Sequence, residues 1–90
     1  MEYRVKVIGT QAESAKVFYI SNSIQDWLTL CRSDAAVYYN PETAKCAINQ
    51  GIESIKQELD LFYHCELEEI QIVEEIRTEN VIQTFKPSDI

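Results

Sequence analysis

Three cysteines and one histidine are the most reactive side chains of this chain of 90 residues. His64 and Cys65 are adjacent, whereas Cys31 and Cys46 lie far from them along the chain. A zinc site needs about four ligands, usually in closely spaced pairs, and a catalytic thiol needs a neighbouring base or a helix N-terminus. Neither pattern is present. We therefore expect no metal and no cofactor, and interpret the cysteines as reduced, small apolar residues.

A group of glutamates offers carboxylates for acid–base chemistry. A general acid needs apolar burial or a close like charge to raise its pKa. Glutamates along an alternating strand are instead typical of a solvated face, where they discourage edge-to-edge aggregation of an exposed strand. We therefore expect no enzymatic activity from this group, which comprises Glu66, Glu68, Glu69, Glu74 and Glu75.

The charge balance restricts the class of partner. With 15 acidic and 8 basic residues the net charge is −7, which argues against direct binding to nucleic acid or to an anionic membrane, because both require clustered Lys and Arg. The balance is compatible with a partner protein that has a basic surface. No apolar run approaches the ~18 residues of a membrane span. Since Met1 is followed at once by a charged, strand-like segment, we expect no signal peptide and a cytoplasmic location.

The N-terminal part predicts a β-hairpin. Residues 2–8 alternate, with Tyr3, Val5 and Val7 on one side, which is typical of a half-buried strand. Residues 16–20 are rich in aromatic and β-branched side chains and predict a second, antiparallel strand. Gly9 and residues 10–14 would form the turn between them.

Residues 21–32 are ambiguous. Ser23 and Asp26 approximate a helix capping box, and four apolar residues share one helical face, namely Ile24, Trp27, Leu28 and Cys31. The pattern slightly favours a short helix packed against the sheet. The alternative is an extended loop that tucks Trp27 into the core.

A long amphipathic helix is predicted for residues 41–62, after a short third strand at residues 35–39. Asn40 can accept hydrogen bonds from the first free N–H groups of the helix. Pro41 at the first helical position costs no hydrogen bond, because the N–H that it lacks would have no partner within the helix. The negative charge of Glu42 in the first turn is stabilised by the helix dipole. Gly51 within the helix costs about 1 kcal/mol relative to Ala, and indicates a close approach of the sheet, a kink or a break. The apolar stripe comprises Ala44, Ile48, Ile52, Ile55, Leu59 and Phe62.

The C-terminal part predicts two more strands. Residues 65–77 fit a strand or a helix, and a strand is preferred because residues 78–80 resemble a turn into the β-prone residues 81–85. Residues 86–90 would be a tail with little to hold it. The sequence therefore predicts one α+β domain over residues 1–85, with a mainly antiparallel sheet of three to five strands on one long helix.

The predicted core comes from the apolar faces of these elements, while the other sheet face meets water or a second subunit. Its members are Val5, Val7, Ile20, Trp27, Ile48, Ile52, Ile55, Leu59, Ile70 and Ile72. Tyr38 and Tyr39 point to opposite sides of their predicted strand, so one of them should be exposed. An exposed Tyr amid acidic residues suits a protein interface.

One resemblance follows from this order of elements. A leading hairpin, Trp27, the pattern Ala35-x-x-Tyr38 with Ala44 beyond it, an amphipathic helix and a late Ile/Val/Glu strand resemble small proteins of bacteriophages and mobile elements, chiefly from Gram-positive hosts. The likeness covers about residues 3–77. It implies a ββ(β)αβ arrangement and a phage origin, and it supplies no catalytic residues.

The sequence thus favours a non-enzymatic protein-interaction module. In its sharper form this would be an acidic inhibitor, such as a phage accessory protein, that occupies the basic groove of a host protein. Its binding should weaken steeply with salt. The alternative is a small structural homodimer that pairs through an edge strand or the uncovered sheet face. The predicted partner-binding residues are Tyr38, Tyr39, Glu68, Glu69, Glu74, Glu75 and Glu79.

Overall fold

The computed structural model describes residues 1–75 and 78–90. Its elements are β1 (Glu2–Gln11), β2 (Ser14–Ile20), β3 (Leu28–Thr29), α1 (Pro41–Tyr63), β4 (Glu66–Glu75) and β5 (Glu79–Phe85), with single 3₁₀ turns at Arg32–Asp34 and Pro87–Asp89. The five strands form one antiparallel sheet in the order β3-β2-β1-β4-β5, and α1 packs against it. The predicted α+β class is confirmed.

The core lies between α1 and the inner strands. Val5 and Val7 of β1 and Ile70 and Ile72 of β4 face the helix and are fully buried. From α1 the buried stripe is Ala44, Ile48, Ile55 and Leu59. The predicted core is confirmed, except that Trp27 and Ile52 are half-buried against it. Phe18, Leu28 and Cys65 are buried as well.

The N-terminal hairpin is confirmed, but its turn is shorter than predicted. Gln11 pairs with Ser14, so only Ala12 and Glu13 form the turn, and Ala12 takes φ 57°. Gly9 lies within β1 instead. There it faces a tight space, since a Cβ at Gly9 would be 3.0 Å from Cβ of Cys65.

The predicted helix in residues 21–32 is wrong, and the alternative loop that packs Trp27 on the core is correct. Hydroxyls compete with a helical ladder here, because Ser21 Oγ accepts the N–H of Ser23 and Ser23 Oγ accepts the N–H of Gln25. The strand predicted at residues 35–39 is also wrong. β3 already occupies the edge of β2, and among the described residues this segment makes only the single bridges Ser21–Ala35 and Tyr3–Tyr38.

The long helix begins as predicted. Asn40 Oδ1 accepts the N–H of Thr43 at 2.8 Å, and Pro41 occupies the first turn. The helix continues through Gly51 without a break and ends one residue beyond the prediction, at Tyr63. His64 then turns the chain with a left-handed conformation, φ 54° and ψ 41°. No helix among residues 1–75 and 78–90 is long and apolar enough to cross a membrane.

The preferred strand after the helix is confirmed as β4, and the last two residues predicted for it, 76 and 77, lie outside the described residues. Two details were wrong. β4 lies inside the sheet, between β1 and β5, so its glutamates do not guard an edge. The predicted turn at residues 78–80 is largely strand, because β5 begins at Glu79.

The C-terminal tail is held, contrary to the prediction. The backbone N–H of Lys86 donates to Asp89 Oδ2 at 2.9 Å and closes a 3₁₀ turn. Ile90 packs half-buried against the core.

Candidate protein-binding groove

A groove of about 370 Å³ lies between the loop of residues 21–27 and the first half of α1. We call it the Trp27 groove. Its walls are the side chains of Trp27, Tyr38 and Ala47, with the buried Ile20 beside them. It is further lined by Ser21, Ser23, Ile24, Gln25, Asp26 and Gln50. The groove therefore combines an aromatic and aliphatic interior with a polar rim.

Gly51 allows Trp27 to lie against the helix. A Cβ built on Gly51 would be 2.2 Å from Cζ3 and 2.5 Å from Cη2 of the indole, so only glycine leaves room for the ring. The sequence left open a close approach of the sheet, a kink or a break at this glycine, but the group that approaches it is the indole of Trp27, and the helix is unbroken. The position of Trp27, and with it one wall of the Trp27 groove, thus depends on the absence of a side chain at residue 51.

Glu58 fixes the backbone on the other side of Trp27. Its carboxylate accepts the N–H of Trp27 at 2.6 Å and the N–H of Leu28 at 3.1 Å. Hydrogen bonds to an ionised acceptor are stronger than neutral ones. One carboxylate on α1 therefore holds the end of the loop and the start of β3 against the helix.

The rest of the loop is closed by hydrogen bonds near its ends. The N–H of Ser21 donates to the carbonyl of Trp27 at 2.7 Å, and the N–H of Asn22 donates to the carbonyl of Asp34 at 2.8 Å. Ile24 at the tip projects fully into solvent. The apolar side chain of Ile24 is thus exposed beside the Trp27 groove, on a loop whose ends are held by hydrogen bonds.

Tyr38 and Tyr39 separate as predicted, one inward and one outward. Tyr38 lines the Trp27 groove, and its burial raises the pKa of its phenol above the ordinary value. Its backbone is fixed by reciprocal hydrogen bonds with Tyr3, both 2.8 Å. Tyr39 is 74% exposed. The pair therefore supplies one wall of the groove and one free aromatic ring beside it.

A polar cleft adjoins the Trp27 groove on the other side of the same loop. It has a volume of about 420 Å³, and Ser21, Ser23 and Asp26 line both spaces. The other residues that line it are Asn22, Leu28, Thr29, Ser33 and Asp34. Among the described residues that line either space, Asp26 and Asp34 are acidic and none is basic.

Two of the glutamates predicted to bind a partner instead form ion pairs and hydrogen bonds within the protein. Glu75 pairs with Arg4 and Arg32. Glu79 accepts from Lys6 Nζ at 2.9 Å and from Tyr19 Oη at 3.0 Å. Glu79, at the start of β5, thus reaches Lys6 of β1 and Tyr19 of β2 although β4 lies between β5 and these strands. The carboxylates of Glu75 and Glu79 therefore stabilise contacts between parts of this chain and are not free to bind a partner.

The surroundings of Glu79 shift two pKa values. Burial would raise the pKa of Glu79, but hydrogen bonds from Lys6 and Tyr19 and the charge of Lys6 outweigh it, and the pKa is lowered. Burial and then the hydrogen bond to Glu79 raise the pKa of Tyr19. Glu79 is thus held as a carboxylate and Tyr19 as a neutral phenol.

The three remaining predicted glutamates differ from one another. Glu69 is bound by Lys86 Nζ at 2.8 Å and by Gln71 Nε2, and these hydrogen bonds lower its pKa. Glu68 is exposed and Glu74 is half-buried, and neither makes an ion pair with another residue that the structure describes. The predicted glutamate surface is therefore not one free acidic patch.

The reactive side chains are dispersed. Cys65 is buried, Cys31 and Cys46 are exposed, and Cys31 Sγ is 2.9 Å from Ser33 Oγ. Within residues 1–75 and 78–90, no three His, Cys, Asp or Glu side chains are grouped so that they could hold a metal ion.

The Trp27 groove was missed by sequence reasoning because a helix was favoured for its loop. Two features of the sequence could have indicated the groove, namely a glycine at position 51 within a helix and a single tryptophan in the preceding loop.

No protein-family model, curated protein or solved structure matches this chain.

Proposed function

We propose that this chain is a non-enzymatic protein-interaction module that binds a basic segment of a partner protein in the Trp27 groove. The observation that carries the proposal is the groove itself, with Trp27 and Tyr38 as its walls and Asp26 on its rim. Aromatic side chains that line a partly desolvated pocket are the usual anchors of protein interfaces.

The size and polarity of the Trp27 groove fit a single side chain of the partner rather than a whole helix or strand. About 370 Å³ accommodates one large apolar side chain with adjoining backbone, and Gln50 and the rim serines offer hydrogen bonds to that backbone. Ile24 and Tyr39, both exposed, would flank the inserted segment. An apolar anchor residue in the partner follows from this geometry.

The negative charge of this chain determines which residues should flank the apolar anchor in the partner segment. The net charge of −7, Asp26 at the Trp27 groove and Asp34 in the adjoining polar cleft favour Lys or Arg next to the anchor. The likeness to phage and mobile-element proteins would make the partner a host protein, and a basic nucleic-acid-binding protein would fit. The proposed binding site therefore moves away from the glutamates of β4 and β5, since Glu69, Glu75 and Glu79 already bind Lys and Arg of this chain.

A random peptide display library, selected against the whole chain, tests this proposal with a defined probe. The enriched peptides should carry a large apolar residue beside Lys or Arg, and should bind less tightly as salt rises. Ala47→Leu fills the groove and should reduce binding of a selected synthetic peptide at least tenfold. Gln57→Leu adds the same side chain at an exposed helical position outside the groove and should leave binding unchanged.

Three results would overturn the proposal. These are selected peptides without basic residues, affinity that does not change with salt, or equal binding by the Ala47→Leu and Gln57→Leu variants. Circular dichroism of both variants establishes that each is folded before binding is compared.

A further inference from the structure

We propose that residues 30–34 form a strap that closes one side of the polar cleft, and that Arg32 holds the strap closed through two carboxylates of β4 and β5. The strap lies between two buried residues, Leu28 before it and Ala35 after it. Between them residues 30–34 are all exposed, and even the apolar Leu30 is 61% exposed. A segment that buries so little apolar surface opens more readily than the core.

The hydrogen bonds of the strap are mostly local. The N–H of Asp34 donates to the carbonyl of Cys31 at 3.0 Å, and the N–H of Cys31 donates to Thr29 Oγ1 at 3.1 Å. Among the described residues, one backbone hydrogen bond outside the strands reaches the strap from a distant part of the chain, from the N–H of Asn22 to the carbonyl of Asp34 at 2.8 Å. The strap can therefore move as a unit once this bond and the contacts of Arg32 are broken.

Arg32 connects the strap to the far side of the sheet. Its guanidinium pairs with Glu75 of β4 and with Glu79 of β5, where Nε donates to Oε2 at 3.4 Å. A planar guanidinium with five N–H donors can serve two carboxylates at once. The Arg32 side chain is 43% exposed, and partly solvated ion pairs each contribute little free energy. The contact is therefore weak enough to open and close reversibly.

The two carboxylates are held in place without the strap. Arg4 pairs with Glu75, and Lys6 Nζ donates to Glu79 at 2.9 Å. Both basic residues belong to β1, where they alternate with buried apolar residues and so lie on the sheet face opposite α1. Because β1 lies in the middle of the sheet, the acceptors stay fixed and the strap is the part that moves.

Movement of the strap would change the polar cleft and leave the Trp27 groove in place. Ser33 and Asp34 of the strap line the polar cleft, together with Asn22, whose N–H is bonded to the strap. The Trp27 groove is held separately, because Glu58 accepts the N–H of Trp27 at 2.6 Å. The fold thus couples the start of β5 to one wall of the polar cleft. This coupling does not depend on the proposed function.

Native-state amide hydrogen exchange of the whole chain, followed by NMR, tests the strap. Arg32→Gln should quicken exchange of the Asn22 amide at least threefold, because that N–H is bonded to the strap. The Trp27 amide, which is bonded to α1, should exchange as in the parent. Lys16→Gln removes the same charge at an exposed position of β2 and should change neither amide.

A second variant tests the coupling across the sheet. Glu75→Gln should also quicken the Asn22 amide, because Arg32 then loses one of its two carboxylate partners. Combined with Arg32→Gln it should add less than its own separate effect, since both changes break the same contact. Unchanged exchange at Asn22 in Arg32→Gln, equal quickening at Asn22 and Trp27, or additive effects of the two variants would each overturn the proposal.

Discussion

Gly51 and Trp27 fit together because the helix lacks a side chain at the point of contact. The nearest indole atom, Cζ3, lies 2.2 Å from where a Cβ of residue 51 would be. Glycine inside a helix costs about 1 kcal/mol relative to alanine. The protein retains it in the middle of α1, where it lets Trp27 close one side of the groove.

Gly51→Ala should therefore destabilise the protein although it improves helix propensity. We expect the free energy of unfolding to fall by about 1–3 kcal/mol, because the methyl group forces Trp27 or the helix to move. Chemical denaturation monitored by far-UV circular dichroism measures the loss, and Trp27 fluorescence reports whether the indole becomes more exposed.

Trp27→Leu provides the control for this contact. Combined with Gly51→Ala, the smaller side chain should make the double variant lose less stability than the sum of the two single variants. Additive losses, or a more stable Gly51→Ala variant, would contradict the packing described for Gly51.

What the sequence predicts well is local. The alternation of β1, the aromatic and β-branched run of β2 and the capped stripe of α1 are patterns within single segments, and all three are confirmed. The loop at residues 21–27 is different, because its shape depends on Glu58, which is 31 residues beyond Trp27. Hydrophobic spacing within the loop could not reveal that contact.

The candidate site was only partly predictable for the same reason. Alternation correctly predicted one exposed member of the Tyr38–Tyr39 pair. It could not show that Glu75 and Glu79 are neutralised, since this depends on the fold bringing basic side chains from distant parts of the chain beside them. The partners of a charged side chain are set by tertiary structure.

Glu58→Gln tests the carboxylate that holds the loop. A glutamine has one acceptor oxygen, so it can serve the N–H of Trp27 or that of Leu28, and its NH₂ group opposes the other donor. We expect a loss of about 1–3 kcal/mol in the free energy of unfolding. Amide hydrogen exchange of Trp27 and Leu28 should quicken more than that of the β1 core.

Glu53→Gln is the matched control, because Glu53 lies exposed on the same helix. It should change stability by less than about 0.5 kcal/mol. If both glutamine variants were equally stable, or if exchange at Trp27 were unaffected by Glu58→Gln, the two hydrogen bonds would not hold the loop.

The carboxylate of Glu79 should make stability depend on pH in the acid range. Its pKa in the folded protein is lowered from the usual 4.5, so the folded state favours the ionised form. A lowered pKa gives a stabilisation that is complete above the unfolded value and disappears as the pH falls through the folded value. The contribution should therefore be full at pH 7 and decline below about pH 4.5.

Glu79→Gln removes this titrating group while keeping its size. At pH 7 the variant should lose about 1–2 kcal/mol, because the hydrogen bonds from Lys6 and Tyr19 lose their ionised acceptor. Since the parent loses the same contribution on acidification, the difference between the two should shrink towards pH 3. Urea denaturation at half-unit pH intervals measures both curves, with the exposed Glu13→Gln as control. A difference that stays constant with pH would show that Glu79 stabilises the sheet by packing and not by its charge.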